Sequence, residues 1–373
     1  MNDVSAIISD EPTRIASIIG RYVMGQSDSL VATSDDVGVD VRLQTGADQF
    51  DDCAVYSIGT ELALVAGSDF VRGVGFSLFE LGLLTLRDIG YYLVAANMSD
   101  VASMGAIPIG LLSVIRYPSS LTDDEFGQLI AGINSACTDF GVLNVGGDIG
   151  GAERVYLSAT GLGMCHQDHV LLRSGAEHGD LVAVTGTTGL AGTAMAYFTK
   201  KDESGWSVPV DTERQLLDSW RHPQAQVLAG RVLGSQRLAS ACQDSSDGLK
   251  ATLEQISEAS GVQIAVDAHR VPVHPAVAAV AHEAGVDALD LTFGNSVDFQ
   301  LVFTFEPAKF DRLSAAFKKY DLQFHIIGEV MSDRGETGAF LRFGEELEPL
   351  PGVAWRHQME SSSEIAAEIL GKR

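Results

Sequence analysis

Aspartates that stand beside glycine, serine or another aspartate recur along this chain, and their chemistry is the first question it raises. Asp100 lies near the end of a run of small and apolar residues, 94–106, which predicts a helix. A carboxylate in such a run is costly to bury unless it is paired or holds a metal ion. The other aspartates of this kind are Asp51, Asp52, Asp69, Asp148, Asp244 and Asp247. We expect them to converge on Asp100.

Carboxylates carried on separate turns suit a hydrated Mg²⁺ ion that also binds a phosphorylated ligand. Mg²⁺ prefers a few carboxylates together with waters and phosphate oxygens over a cage made wholly of protein. A glycine beside the carboxylate lets a phosphate approach the backbone closely. A single Asp-Gly pair is also typical of an ordinary turn, so the set as a whole favours magnesium–nucleotide chemistry.

The other candidate phosphate-binding features are weaker. Gly146-Gly147-Asp148 and the stretch 186–189 are glycine-containing turns, but the chain has no GxxxxGK[ST] segment, which disfavours a P-loop kinase. Lysine and arginine are scarce near these turns, so metal ions would have to neutralise phosphate charge. Arg173, just before Ser174-Gly175-Ala176, is the one conveniently placed cation.

Two further kinds of site are disfavoured. The stretch Cys165-His166-Gln167-Asp168-His169 contains metal-binding residue types, but the second half of a zinc site is missing, so we interpret it as a domain linker. Ser245 and Ser246 have no recognisable histidine base, which argues against a serine hydrolase.

Composition sets the class of protein. The chain has 373 residues, enough for two domains, and a formal net charge of −25, which argues against binding to a nucleic-acid backbone. No apolar run approaches ~20 residues and the N-terminus lacks a secretory signal, so we expect neither a membrane span nor export. The four cysteines form no CxxC pair, and free thiols in the cytoplasm are the natural interpretation.

Strand and helix patterns alternate along the chain and predict an α/β (α+β) fold of two domains with mixed sheets. We expect an N-terminal helix, Thr13 to Met24, and a Ser/Asp-rich arm through Asp40, both within residues 1–47. The first domain is predicted over residues 48–165 and the second over 166–373. Within the first domain we expect a helix from Leu84 to Met104 and a strand, Val142 to Val145, that ends at the glycines before Asp148.

Taken together, these segments resemble thiamine-monophosphate kinase, of the superfamily that includes aminoimidazole ribonucleotide synthetase, selenophosphate synthetase and the hydrogenase cyano-group maturation protein. The resemblance covers roughly residues 48–357, and the run Asn-Met-Ser-Asp-Val-Ala-Ser-Met-Gly-Ala at 97–106 is its most specific part. The other matching segments are Asp51 to Val55, Ser68-Asp69, Gly146 to Asp148, Arg173 to Ala176, Gly179-Asp180, Asp244 to Leu249, and Ile327 to Val330.

The resemblance implies an N-terminal domain that pairs with a second copy into a dimeric β-barrel, with ATP and several Mg²⁺ ions in a cleft. The magnesium ligands would be Asp52, Ser68, Asp69, Asp100, Asp148, Asp244 and Asp247. Asp100 and Asp247 would be catalytic. The nucleotide contacts would be Gly147, Asp148, Arg173 and Ser246. The γ-phosphoryl group of ATP would pass directly to the phosphate of a small substrate.

The substrate side departs from the family pattern. Val297 stands where the family has a glutamate, Gly75 where it has a histidine, and Tyr92 where it has a lysine. The positions implied to contact substrate are Gly75, Val297, Asp298 and Trp355. The pattern favours ATP chemistry on a phosphorylated or heterocyclic metabolite other than thiamine phosphate. Two alternatives are an ATP-dependent cyclase, ligase or dehydratase that activates an amide or carbonyl, and a nucleotide-binding relative without activity.

Overall fold

The computed structural model describes residues 25–46, 49–71, 76–331 and 337–353. The predicted helix from Thr13 to Met24 lies outside the described residues, as do Gly75 and Trp355. No helix in the described part of the chain is long and apolar enough to cross a membrane.

The first half of the chain forms a seven-stranded sheet. Its strands are β1 (Ser29–Ala32), β2 (Val41–Thr45), β3 (Ala54–Ile58), β4 (Leu62–Val71), β5 (Ile107–Tyr117), β6 (Asn144–Gly151) and β7 (Tyr156–His166). They lie in the order β1-β2-β3-β4-β7-β5-β6. All neighbours are antiparallel except β5 and β6, which are parallel. The sheet is therefore mixed, with β6 at its edge.

Four helices of the described residues belong to this half: α1 (Ser34–Val37), α2 (Ser77–Glu80), α3 (Leu86–Ser103) and α4 (Asp123–Phe140). Capping boxes begin both long helices: Thr85 pairs with Asp88 in α3, and Thr122 with Glu125 in α4. Both helices contribute buried side chains to the core of this half, and α3 is buried along almost its whole length.

The second half forms another mixed seven-stranded sheet, in the order β14-β13-β10-β12-β8-β11-β9. Its strands are β8 (Leu181–Val184), β9 (Ala241–Asp244), β10 (Gln263–Asp267), β11 (Leu301–Phe305), β12 (His325–Met331), β13 (Gly338–Phe343) and β14 (Glu346–Pro349). The helices are α5 (Leu190–Ser204), α6 (Val210–Arg221), α7 (Val227–Ser235), α8 (Leu249–Ser260), α9 (Pro275–Ala284), α10 (Ala288–Phe293) and α11 (Phe310–Lys319). The predicted class, two α/β domains with mixed sheets, is confirmed.

Two local predictions are wrong. The Ser/Asp-rich arm contains strand β1 and the short helix α1, and β1 pairs with β2 and β2 with β3. The glycines before Asp148 do not end a strand, because they lie inside β6. In both places pairing with a neighbouring strand outweighs a composition that favours a turn. The domain boundaries at residues 47 and 165 stay predictions.

Candidate functional site

Helix α3 places Asp100 where the two sheets meet. Its neighbour Asn97 donates from Nδ2 to the Leu93 carbonyl at 2.9 Å and accepts from the Asp69 amide at 3.2 Å. Two residues further along the helix, the buried hydroxyl of Ser99 donates to a carboxylate oxygen of Asp244. The helix is therefore held to β4 on one side and to β9 on the other, which fixes where Asp100 lies.

Strand β4 passes unusually close to this helix. A Cβ placed on Gly67 would lie 2.6 Å from the Cys53 sulfur and 3.6 Å from the Asp100 Cβ, so a larger residue does not fit there without movement. The close approach places Ser68 and Asp69 beside the cleft. The Ser68 hydroxyl shares a hydrogen bond of 2.7 Å with the Thr160 hydroxyl on β7.

Arg173 is paired with the aspartates that precede β3. Its Nε and Nη2 atoms donate to Asp52 Oδ1 at 3.1 and 2.5 Å, and its backbone amide donates to Asp51 at 3.1 Å. Burial is the largest single influence and lowers the pKa of Arg173, but the carboxylates of Asp52, Asp51 and Asp244 together outweigh burial and raise the arginine pKa overall. Among the described residues, the other oxygen of Asp52, Oδ2, is buried without a hydrogen-bond partner.

Asp244, the last residue of β9, is the most deeply buried of the site carboxylates, at 1% exposed. The Ser246 hydroxyl donates to its Oδ1 at 2.9 Å. Burial first, and then the charge of Asp52, raise its pKa to about 7. The hydrogen bonds from Ser99 and Ser246 oppose this rise in pKa. The carboxylate is therefore held in place by hydroxyl groups but is poorly solvated when ionised.

The neighbouring carboxylates are perturbed in the same direction. Burial and the charges of Asp244 and Asp52 raise the pKa of Asp100 well above its usual value. Burial and the charge of Asp52 raise the pKa of Asp51 to about 6. Carboxylates that raise one another's pKa form a region of negative potential, which a divalent cation would relieve.

Most of the charged groups described above border one cleft of about 610 Å³. One end, which we call the carboxylate end, is lined by Asp51, Asp52, Ser68, Asp69, Asp100, Arg173, Ser246 and Asp247. The other end, which we call the aromatic end, is lined by Phe76, Leu84, Ile89, Tyr92, Met195, Trp220, Val297 and Phe299. Most of the predicted metal and nucleotide residues therefore lie together, and Asp244 lies directly behind them.

Gly147 and Asp148 lie elsewhere. Both are exposed on edge strand β6, where Asp148 pairs with Arg116 at 2.5 Å between Oδ2 and Nη2. A Cβ on Gly147 would lie 1.7 Å from the Ser113 carbonyl oxygen, so pairing with β5 requires glycine there. Neither residue lines the cleft. Their roles as nucleotide and metal contacts stay predictions.

Two of the positions implied to contact substrate, Val297 and Asp298, have different surroundings in the structure. Val297 lines the cleft, and its contact with substrate stays a prediction. Asp298 accepts from the amides of Gly189 and Ala191, at 2.6 and 3.0 Å, and so caps the start of α5. Burial raises its pKa although these hydrogen bonds oppose the rise. The structure thus gives Asp298 a helix-capping contact, and its contact with substrate stays a prediction.

Sequence reasoning missed most of the aromatic end. Trp220 lies on α6 one turn after Leu216, a spacing that indicates an ordinary core position. Phe76 and Met195 carry no pattern that would distinguish them from core residues. Tyr92 is distinguished in the sequence only because it stands where the family has a lysine. Nothing in the local sequence shows that these side chains meet at a cleft.

Two family models match the chain. The model described as AIR synthase related protein, N-terminal domain, matches residues 50–165, and the C-terminal domain of the same description matches residues 177–340. The chain is thus an AIR synthase-related protein with both domains present.

Individual relatives narrow the class. The thiamine-monophosphate kinase of Pyrococcus abyssi is 30% identical over 274 residues, covering 74% of this chain and 80% of that protein. The thiamine-monophosphate kinase of Halobacterium salinarum is 36% identical over 241 residues, covering 65% and 76%. The solved structure "AaThiL complexed with AMPPCP and TMP" shares the fold with a TM-score of 0.69 and 23% identity, covering 82% of this chain and 91% of its own. The chain belongs to the thiamine-monophosphate kinase family.

Proposed function

We propose that this protein is an ATP- and Mg²⁺-dependent phosphotransferase that moves the γ-phosphoryl group of ATP to a small acceptor. The observation that carries the proposal is one cleft in which carboxylates from both halves of the chain meet Arg173. Its relatives are named as thiamine-monophosphate kinases, and a protein of the same fold is complexed with AMPPCP and TMP. Thiamine monophosphate is therefore the first acceptor to test.

The side chains of the carboxylate end fit magnesium in their chemistry. Apart from Arg173, all of them are hard oxygen donors, one buried oxygen of Asp52 has no hydrogen-bond partner in the described residues, and the carboxylates destabilise one another's charge. In the described part of the chain, no group of three or more His, Cys, Asp or Glu side chains is placed to hold a metal ion by itself, so waters and phosphate oxygens would have to complete the ligand set. An open set suits Mg²⁺, which keeps waters and phosphate oxygens among its ligands.

The residues we assign to magnesium are Asp52, Ser68, Asp69, Asp100 and Asp247 in the cleft and Asp244 directly behind it. The family resemblance also implies Asp148, which lies outside the cleft. When bound, the metal would neutralise phosphate charge and orient the phosphate oxygens. Arg173 would face the phosphates, since its guanidinium is fixed at the cleft wall by two hydrogen bonds to Asp52. Ser246 and the backbone around it would orient the nucleotide. Positioning and charge stabilisation supply most of the catalysis in phosphoryl transfer.

The test is a turnover assay with ATP, Mg²⁺, thiamine monophosphate and a panel of small phosphorylated acceptors. We expect ADP and a doubly phosphorylated product in equal amounts. Asp100→Asn should lower kcat about 100-fold or more, because it removes a carboxylate that would hold the magnesium ion at the reacting phosphates. Asp202→Asn, an exposed change on α5, is the matched control and should not affect turnover. ADP accompanied by free phosphate would overturn the proposal in favour of amide or carbonyl activation.

We also propose that the protein acts as a homodimer in the cytoplasm. Exposed apolar side chains lie along neighbouring strands β5 and β6 of the first sheet, at Ile107, Ile109, Leu112, Val114, Val145 and Ile149. Strips of this kind mark association surfaces, and pairing two such sheets would form the barrel implied by the family. All four cysteines are free thiols, as expected in a reducing compartment.

A further inference from the structure

Strand β4 borders the cleft with residues from both of its faces. Successive side chains of a strand point to opposite faces of the sheet. Along β4 the odd-numbered positions face the buried side, whereas Ser68 and Phe70 are exposed on the other, open face. Ser68, Asp69 and Phe70 all line the cleft. Ser68 therefore reaches the carboxylate end from the open face of the first sheet.

The backbone that carries Ser68 is fixed from two directions. On the helix side, the next residue, Asp69, donates from its amide to Asn97 of α3 at 3.2 Å. Within the sheet, β4 pairs with β7 over ten consecutive residues without a register shift, from Leu62 opposite His166 to Val71 opposite Leu157. The direction of the Ser68 hydroxyl is thus set by the rotation of its own side chain and by the partner of that hydroxyl.

That partner is Thr160, which lies directly opposite Ser68 on β7. The two hydroxyl oxygens are 2.7 Å apart and share a hydrogen bond. Threonine is branched at Cβ, which restricts its χ1 angle, so its hydroxyl is held more firmly than that of a serine. On the other side of β7, the residue opposite Thr160 is the apolar Leu112 of β5. Thr160 does not itself line the cleft, so its contact with the site runs through Ser68.

A serine that binds a metal ion has to donate its proton to another group. A hydroxyl carries one proton and two lone pairs. When a lone pair of the Ser68 oxygen faces a cation, the proton has to point away from that cation, and Thr160 Oγ1 is an acceptor at 2.7 Å. Partners of this kind orient metal ligands in general. Orientation matters more for a neutral hydroxyl than for a carboxylate, which offers two charged oxygens.

We propose that Thr160 is a positioning residue of the magnesium site. Its hydroxyl accepts the hydrogen bond from Ser68 and so turns a lone pair of Ser68 towards the metal ion. The inference rests on the proposed function, which assigns Ser68 to magnesium. It gives Thr160 no contact with metal, nucleotide or acceptor, so the whole effect of Thr160 passes through one hydrogen bond.

The test measures metal binding directly in nucleotide-free protein. Mn²⁺ serves as the probe ion for Mg²⁺, and electron paramagnetic resonance reports the free ion. Thr160→Val keeps the shape of the side chain and removes the acceptor, and it should weaken the binding of one Mn²⁺ ion by about tenfold. The loss lies at the low end for such a partner, because Ser68 is exposed and water replaces part of the hydrogen bond. Thr160→Ser retains a hydroxyl and should restore the affinity to within about threefold of the wild-type value.

The matched control is Thr138→Val, the same change at an exposed position on α4. Its hydroxyl donates to the Asn134 carbonyl of its own helix at 2.9 Å, so the affinity for Mn²⁺ should not change. Thermal unfolding in a chelator should give Thr160→Val the midpoint of the wild-type protein, which separates a loss of metal binding from a loss of stability.

A double-mutant cycle tests the route through Ser68. In a Ser68→Ala protein, Thr160→Val should have no further effect on Mn²⁺ affinity, because the hydroxyl on which Thr160 acts is already gone. Wild-type affinity in Thr160→Val, or a second tenfold loss in the Ser68→Ala background, would overturn the inference. A protein that shows the expected Mn²⁺ pattern but transfers no phosphate retains this inference and loses the proposed function. A protein that transfers phosphate while Thr160→Val binds Mn²⁺ normally retains the function and loses the inference.

Discussion

Ser99 holds a carboxylate that is itself difficult to bury. Its hydroxyl is 0% exposed and donates to Asp244, whose pKa is raised to about 7 by burial and by Asp52. The hydrogen bond favours the ionised form of Asp244 and opposes that rise. We therefore infer that Ser99 positions Asp244 for the cleft without itself lining it.

Ser99→Ala should destabilise the fold by about 1–3 kcal/mol at pH 8, since it leaves a buried carboxylate oxygen without its donor. The loss should be smaller at pH 5, where Asp244 is protonated. Urea unfolding at the two pH values measures both. Ser103→Ala is the control, because that equally buried hydroxyl donates to the Asp100 carbonyl of its own helix. A loss that does not change with pH would contradict a role for Ser99 towards the charged form.

The raised carboxylate pKa values predict how stability depends on pH in metal-free protein. A carboxyl with a raised folded-state pKa binds its proton more tightly in the folded than in the unfolded chain. The contribution of these groups to stability is therefore greatest below the unfolded-state pKa, near 3.8, and is lost as pH rises towards the folded-state value, about 7 for Asp244 and about 6 for Asp51. We expect a loss of about 2–4 kcal/mol between pH 4 and pH 7, measured by chemical unfolding in a chelator.

Asp244→Asn should remove much of this loss and should be more stable than the wild-type protein at pH 8 without metal. Asp202→Asn, exposed on α5, should keep the wild-type slope. Adding Mg²⁺ should restore stability to the wild-type protein at pH 8 and do little for Asp244→Asn. A stability that stays flat or rises from pH 4 to pH 7 in the wild-type protein would show that these carboxylates are not buried together.

The aspartates of the site could be predicted from sequence, whereas its aromatic side chains could not. Asp52, Asp100 and Asp247 stand in short runs of unusual composition, so their chemistry is visible locally. Trp220 and Phe299 are apolar residues in apolar surroundings, and only the packing of α6 and the 295–299 segment against α3 turns them towards a cleft. Local sequence carries the type of a residue, and tertiary contacts decide whether it belongs to the core or to a site.

At the scale of elements, the long helix α3 could be predicted from its own run of residues, whereas pairing with a distant strand obscured β6. The predicted helix from Leu84 to Met104 is α3, Leu86–Ser103, and the capping-box spacing of Thr122 and Glu125 begins α4. The run of glycines in β6 has a turn-like composition. It is nevertheless extended, because β5 supplies hydrogen bonds along its whole length. A partner strand distant in sequence is not visible in a local pattern.

The contact between α3 and α4 depends on glycines of two kinds. A Cβ on Gly132 of α4 would lie 1.9 Å from the Arg87 carbonyl oxygen, so the backbones touch there. A Cβ on Gly127, five residues earlier in the same helix, would meet nothing within 4 Å. The first glycine is required by packing, and the second only lowers helix propensity.

Gly132→Ala should therefore lower the free energy of unfolding by about 3 kcal/mol or more, since the two helices must separate. Gly127→Ala should stabilise the protein by up to about 1 kcal/mol. Thermal and urea unfolding of the two variants side by side measures the difference. Equal effects would mean that α3 and α4 are not in contact at Gly132. Turnover should fall with Gly132→Ala alone, because α3 carries Asp100.

At the scale of the whole molecule, the cleft lies where two distinct sheets meet on one helix. Asp100 lies on α3 of the first half, and Asp244 ends β9 of the second. The Ser99 bond and a close contact between Gly230 of α7 and the Ala102 carbonyl join the halves. Neither half alone contains both the carboxylate end and the aromatic end, so the proposed activity is a property of the complete two-sheet body.

The other face of the first sheet gives the last prediction, the proposed homodimer. Ile109 and Val114 on β5 are each 40% exposed, and Val145 on neighbouring β6 is 52% exposed. Apolar side chains concentrated in this way are stabilised when a second copy covers them, and a stable interface of this type buries about 1,600 Å² in total. Sedimentation equilibrium of the wild-type protein should give about twice the 39.6 kDa of one chain.

Val114→Arg should shift the protein to the monomer at micromolar concentration, because two arginines would meet across the symmetric interface without partners. Val210→Arg adds the same side chain at an 80% exposed position on α6 and should leave the dimer intact. Circular dichroism of the Val114→Arg monomer should retain the wild-type secondary structure, which separates dissociation from unfolding. A wild-type protein that sediments as a monomer, or a Val114→Arg variant that remains dimeric, would show that this face is not the interface.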